Sequence, residues 1–250
     1  MATKEQLEDK AGVWKRMAKE CPEFTPAHDI TDNYHAVREI VLSGSTTWAG
    51  ANGFFKPQPG CNVMDVGANV GIYSAFCAVR GANVVAYEPH PVVFSLLQEM
   101  LIRTNLTNVK AVNSAVWTFT GECSFIGHVS PAEDCTRYNG GLISQGVVWT
   151  PEDKKTAKPT TCISFDEAIG DVIWDCVKMD IEGAEFEVLL AASPKALNKI
   201  KFMYVEFHPW VSQEIYDETI AKLNAIFKFI GAYPNEFGRW EAAYLFGREI

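Results

Sequence analysis

From residue 61 onward the chain alternates short apolar runs with helical patterns, and that rhythm leaves very few architectures open to it. Cys61–Val66 reads as a strand, Val70–Val79 as a helix and Asn83–Tyr87 as a strand. A helix over Val92–Asn105 follows, its first turn opened by Pro91. Val109–Val112, Asp175–Met179 and Phe202–Phe207 read as further strands, with helices near Ala184–Leu190 and Ser212–Phe229 after the last two. Strands that feed helices and return as strands form βαβ units, so the sheet is expected to be parallel. Two segments break the rhythm. Phe119–Thr160, rich in Gly, Thr and Ser, reads as hairpins or a long loop, and Trp240–Gly247 alternates as a closing strand would. Upstream, Leu7, Ala11, Trp14 and Ala18 share one face of an amphipathic helix behind Thr3 as N-cap. Residues 21–60 end in Lys56-Pro-Gln-Pro-Gly60, a boundary signal. Residues 1–57 are therefore expected to form an N-terminal helical cap and residues 58–250 one α/β domain.

Asp65-Val-Gly67-Ala68-Asn69-Val-Gly71 lies where a strand hands over to a helix. Glycine belongs where backbone turns sharply or approaches a ligand closely. A dinucleotide site uses G-x-G-x-x-G, whose second glycine admits a pyrophosphate. Asn69 occupies that position here, and the G-K-[ST] of a phosphate loop is missing. The pattern favours a ligand without phosphates in the same crevice, set against a plain packing turn. The next strand ends in Tyr87-Glu88-Pro89-His90-Pro91. Glu88 stands where an acidic side chain accepts hydrogen bonds from ribose hydroxyls, which points to a nucleoside.

The densest chemistry is Cys176-Val-Lys178-Met-Asp180-Ile-Glu182-Gly183-Ala-Glu185. Lys178 and Asp180 are two apart at a strand end and share a face. Ligands of open parallel sheets bind at such ends. Glu182 and Glu185 also suit the first turn of a helix for electrostatic reasons alone. In Tyr204-Val-Glu206-Phe-His208, Glu206 and His208 again share a face. His208 is a candidate general base. Alternatively Asp180, Glu206 and His208 hold a divalent metal through oxygen and nitrogen ligands. A capping or core histidine is the plain alternative.

Composition narrows the partners. The 250 residues carry 22 Lys+Arg against 31 Asp+Glu, a net charge of −9, which disfavours nucleic acid and anionic membranes. No run of about 18 apolar residues occurs. The seven cysteines include no C-x-x-C pair, so neither a disulfide framework nor a zinc knuckle is expected, and a reducing, cytoplasmic compartment fits. Trp149 and Trp210 are candidates to stack a sugar. Arg137-Tyr138-Asn139-Gly140-Gly141 reads either as a loop tip over the acceptor or as a hairpin turn.

Asp65–Gly71, Tyr87-Glu88-Pro89, Val177–Glu185 and Val205–His208, in this order and spacing, resemble the FkbM family of S-adenosylmethionine-dependent methyltransferases. The resemblance covers roughly residues 58–210. It implies a Rossmann-like class I methyltransferase fold: a seven-stranded, mainly parallel sheet with an antiparallel last strand and helices on both faces. It implies S-adenosylmethionine as cofactor, with Asp65, Gly67, Ala68, Asn69 and Gly71 around its methionine end. Glu88 and Pro89 would face the ribose, Ser114 and Ala115 the adenine, and Asp180 both cofactor and acceptor. Such enzymes methylate hydroxyl groups of sugars, glycans or related small metabolites. On that basis Asp180 and His208 form the expected catalytic pair, with Glu206, Glu182 and Lys178 as orienting residues or ligands. An N-methyltransferase, a non-catalytic cofactor-binding subunit and a nicotinamide-dependent oxidoreductase are the competing expectations.

Overall fold

The computed structural model describes residues 55–129, 138–142, 151–155, 157–208, 211–234 and 242–247. The expected N-terminal cap, Trp149, Trp210 and Arg137 lie outside them. The main sheet contains β1 (Asn62–Val66), β2 (Asn83–Tyr87), β3 (Val109–Val112), β8 (Trp174–Met179), β9 (Ile200–Phe207), β10 (Lys228–Pro234) and β11 (Ala242–Gly247). A second sheet contains β4 (Ala115–Trp117), β5 (Gly121–Val129), β6 (Tyr138–Leu142) and β7 (Lys158–Ser164). The main sheet runs β10-β11-β9-β8-β1-β2-β3. All its pairings are parallel except those of β11, which is antiparallel to both β9 and β10. The seven strands and the reversed last strand agree with the expected architecture.

Alternation along the central strands builds two cores. In β1, Val63 and Asp65 face one side of the sheet, and Met64 and Val66 the other. In β8, Cys176 and Lys178 share the side of Val63, and Val177 and Met179 that of Met64. Helix α1 (Ile72–Ala78) covers the first side, packing Ile72, Tyr73, Ala75 and Cys77 on Val63, Val84 and Cys176. Helix α2 (Pro91–Thr104) joins it there through Val93 and Leu97. The other side is filled by Phe165 and Ile169 of α4 (Phe165–Ile169), Phe186, Val188 and Leu189 of α5 (Glu185–Ala191), and Leu223 of α7 (Gln213–Asn224). Two short helices complete the order, α3 (Pro151–Lys155) and α6 (Pro194–Leu197).

Three expectations change. The helix expected to reach Phe229 stops at Asn224, and Lys228–Pro234 pairs with β11 as a strand; its Phe and Ile suit a sheet better than a fourth helical turn. The Arg137–Gly141 segment is neither loop tip nor turn from Tyr138 onward, because residues 138–142 form β6, antiparallel to β5. Helix α4 escaped the sequence reading, although Ser164 caps it by accepting from the Glu167 N–H (3.2 Å), the Ser-x-x-Glu signal of a helix start.

The sheet fixes where glycine is required. Gly67 leaves β1 with φ of +77°, and a Cβ there would stand 1.8 Å from the backbone oxygen of Asp180 at the end of β8. Gly60, at φ +85°, has nothing within 4 Å of that position. Gly60→Ala is expected to cost about 1 kcal/mol of left-handed strain. Gly67→Ala adds a backbone clash and should cost at least about 2 kcal/mol more. Urea unfolding of the two variants side by side measures the difference.

Candidate active site

Most of the expected site residues that are described sit at or just beyond the carboxyl ends of strands, while Gly71 is the N-cap of α1 and Ala115 opens β4. Gly67 follows β1, Glu88 follows β2, Ser114 lies between β3 and β4, Asp180 follows β8 and His208 follows β9. Such ends converge because four parallel crossovers place all of them along one edge.

The centre is a buried cation. Lys178, only 3% exposed, donates from Nζ to the Gly67 carbonyl oxygen (2.6 Å) and lies 3.4 Å from Asp65 Oδ1 and 3.6 Å from Asp180 Oδ2. Burial works against its charge, but the carboxylates of Asp65, Asp180 and Glu206 outweigh that and hold its pKa above the usual lysine value. Asp65, fully buried, also accepts from the Ser74 hydroxyl (2.6 Å) of α1. Lys178 and Asp65 thus shape the glycine loop from beneath. Glu206 joins this group through its field on Lys178.

The loop above them is drawn tight. Gly67 and Ala68 N–H both donate to the Tyr87 carbonyl (3.0 and 2.9 Å). Asn69 adopts φ +52°, the left-handed conformation that a middle glycine would take and that Asn tolerates. Its N–H donates to Glu88 Oε2 (2.9 Å), while the His90 N–H donates to Oε1 (2.8 Å). A carboxylate oxygen accepts about two donors, and among the described residues each oxygen of Glu88 receives one, which leaves a further acceptor position on each. Two adjacent open positions match a vicinal diol. Burial pushes the Glu88 carboxyl up to about 7, although the His90 and Asn69 N–H groups and Lys178 pull the other way. Asn113 Nδ2 donates to the carbonyls of Glu88 (2.9 Å) and Pro89 (3.2 Å). Ser114 Oγ donates to the Thr161 carbonyl (3.2 Å), and Thr161 Oγ1 to that of Asn113 (3.0 Å), tying the second sheet to this end of the crevice. Ala115 is buried as the first residue of β4.

On the other flank stands Glu185, which the sequence offered only as a first-turn carboxylate. It is fully buried. Its Oε1 accepts from the Ile181 N–H (2.9 Å) and both oxygens accept from the Gly183 N–H (3.2 and 3.0 Å). His208 Nδ1 lies 3.0 Å from Oε1, and its Nε2 lies 3.6 Å from Glu182 Oε2. Phe186 packs on Phe207 with ring centroids 4.7 Å apart, which brings the neighbouring Glu185 and His208 together. Burial alone would discharge His208; Glu185, then Glu182 and Asp180, more than reverse this and raise its pKa well above the ordinary value. The overlooked signal was spacing: Glu185, Val188, Leu189 and Ala192 fall on the apolar stripe of α5, where a carboxylate needs a partner.

Among the described residues, Asp180, Glu185 and His208 bring one ligand-capable atom each within 4.8 Å of one another. Glu206, expected in this trio, is not part of it. Within this trio Glu185 Oε1 already accepts from the Ile181 and Gly183 N–H groups and lies against His208, while Oε2 accepts from the Gly183 N–H alone. Asp180 differs from its neighbours: its backbone oxygen faces Gly67, Lys178 holds one carboxylate oxygen from within, and its side chain remains 26% exposed.

The model of the Methyltransferase FkbM domain matches residues 65–240. The hexuronic acid methyltransferase AglP of Haloferax volcanii is 32% identical over 152 residues, 60% of this chain and 56% of that protein. The AMB antimetabolite synthetase AmbE of Pseudomonas aeruginosa is 27% identical over 179 residues, 60% of this chain and 8% of that protein. The chain therefore spans little more than half of the first relative and a small part of the second. A crystal structure of a methyltransferase FkbM from Methylobacillus flagellatus KT superposes with a TM-score of 0.54 at 16% identity, over 97% of this chain and 59% of that one. That likeness shows the Rossmann-like methyltransferase fold.

Lys178→Met should leave Asp65 buried without its cation, at a cost of about 3–5 kcal/mol. Combining it with Asp65→Asn should restore most of the loss. Thermal melts of the single and double variants check this.

Proposed function

The chain belongs to the FkbM methyltransferase family, and we propose that it transfers a methyl group from S-adenosylmethionine to a hydroxyl of a sugar or a related small metabolite. The observation that carries this is the position of Asp180, shared between the glycine-loop cradle and solvent. The loop that begins at Gly67, where a Cβ has no room against Asp180, suits the methionine end of the cofactor. The two open acceptor positions on Glu88 suit its ribose hydroxyls. The name of the Haloferax relative supports a sugar acceptor, here extended to hexuronic acids and other sugars.

S-adenosylmethionine, when bound, supplies a methyl group on a sulfonium centre that is already electrophilic. What remains for the protein is to hold the acceptor oxygen in line and to take its proton. Asp180, partly exposed and beside the Gly67 turn, takes that proton in this reading. As the acceptor oxygen takes up the methyl group, its hydroxyl proton would pass to Asp180. Lys178 keeps that carboxylate oriented toward the cradle. His208, held against Glu185 and Glu182, orients the loop between them. The reading needs no metal.

Incubation with S-adenosylmethionine and methyl glycosides of hexuronic acids and neutral hexoses, followed by mass spectrometry, should show one added methyl group. Turnover should be the same with and without chelator. Asp180→Asn should lower it by about 100-fold or more while S-adenosylhomocysteine still binds. Full turnover in that variant would remove Asp180 from the role.

Glu88 adds a pH signature. Its folded-state pKa, about 7, lies above the ordinary carboxyl value, so the charged diol-accepting form is lost as pH falls through 7. S-adenosylhomocysteine affinity should be level above that pH and weaken by up to about tenfold per unit below it. By the same linkage, folding stability from the protonated carboxyl is full below the unfolded pKa and declines as pH rises to 7. Calorimetric titrations over this range, with Glu88→Gln as the pH-insensitive comparison, provide the measurement.

A further inference from the structure

We propose that Glu185 is a positioning residue that sets the geometry of Asp180, by clasping the 181–183 loop to His208 at the end of β9. This rests on Asp180 being the proton acceptor. The loop that carries Asp180 has an unfavourable backbone of its own. Glu182 sits at φ +56° and Gly183 at φ +98°, consecutive left-handed residues immediately after the strand. Nothing in a short turn holds a non-glycine residue there unless its surroundings over-determine it.

Glu185 supplies that determination from one buried carboxylate. Ile181 and Gly183 are the residues on either side of Glu182, and both donate their N–H groups to it. The helix N-cap, Ala184, offers no side-chain acceptor, so α5 begins without an ordinary cap. Glu185 folds back instead and satisfies the loop amides itself. His208 then closes the clasp from the neighbouring strand, with Nδ1 against Glu185 and Nε2 toward Glu182. The imidazole touches the two ends of the same turn. Asp180 stands immediately before this turn, with its N–H bonded to the Val66 carbonyl (3.1 Å), so a shift of the turn rotates its carboxylate against a fixed strand.

The consequence is a separation of effects. The cofactor cradle is held by Lys178, Asp65 and Glu88, none of which Glu185 touches in these contacts. Loss of Glu185 should therefore harm the alignment of the acceptor proton and leave the cradle in place. A misplacement on the scale of 1 Å costs about 100-fold in rate.

The test compares the full chain with Glu185→Ala and Glu185→Gln. In Glu185→Ala, kcat with a methyl hexuronide acceptor should fall by about 100-fold while S-adenosylhomocysteine affinity stays at the wild-type value. Glu185→Gln keeps one acceptor oxygen for the loop and should recover part of the rate. The backbone amide resonances of Ile181 and Gly183 should move in both variants, more in Glu185→Ala. A Glu185→Ala protein with wild-type kcat, or one that loses cofactor affinity in step with kcat, overturns the proposal. Should Glu185→Ala fail to fold, hydrogen exchange in the wild type decides. Slow exchange at the Ile181 and Gly183 amides supports the clasp, and exchange as fast as in an open loop overturns it. Asp180→Asn keeps the two ideas apart, since full turnover there sinks the proton-acceptor role while the amide measurements still judge the clasp.

Discussion

One buried ammonium group organises the carboxyl edge of the sheet. Lys178 reaches from β8 to the carbonyl of Gly67, the first residue beyond β1, and sits between Asp65 and Asp180. A charge this deep is costly to desolvate and is retained only when its partners are close and well arranged. The arrangement compels the rest. Gly67 must come near enough to be grasped, so its turn is left-handed and excludes a side chain. Asp180 must face inward with one oxygen, so only the other remains for chemistry. Ser74 must donate to Asp65, which fixes how α1 lies on the sheet.

A second charged pair, Glu185 with His208, does comparable work on the opposite flank, and the two differ in purpose. Lys178 neutralises acids that the cradle needs close together. Glu185 spends its oxygens mostly on backbone amides and raises the pKa of the imidazole as a by-product. The outcome is a crevice walled by two buried clusters of ionisable groups, between which the Asp180 side chain still reaches solvent.

Much of the fold was legible because it depends on periodicity. Asn83–Tyr87 and Val109–Val112 have the limits that their apolar runs suggest, and the reversed last strand falls within Trp240–Gly247. What escaped depends on tertiary partners. Lys228–Pro234 continues an apolar helical pattern and becomes a strand only because β11 is there to pair with it. The site divides in the same way. Gly67, Asn69, Glu88 and Asp180 are legible because strand ends of a parallel sheet must meet. The contact of His208 with Glu185 was not, because the two lie 23 positions apart and only the fold brings them together. Lys178, two residues from Asp180, read as an orienting group or ligand, and only the fold shows that it faces the glycine loop.

The second sheet has a bearing on how such a protein diversifies. β4 and β7 lie side by side as parallel neighbours, Ala115 beside Cys162, although the chain between them makes a long excursion through β5 and β6. Both anchors are fastened to the crevice, through Ser114 and Thr161. The entropy of closing such an excursion grows only slowly with its length. Residues between the anchors can therefore lengthen, shorten or change sequence while the cradle keeps its shape. The architecture leaves the cradle's shape independent of what lies between its two anchors.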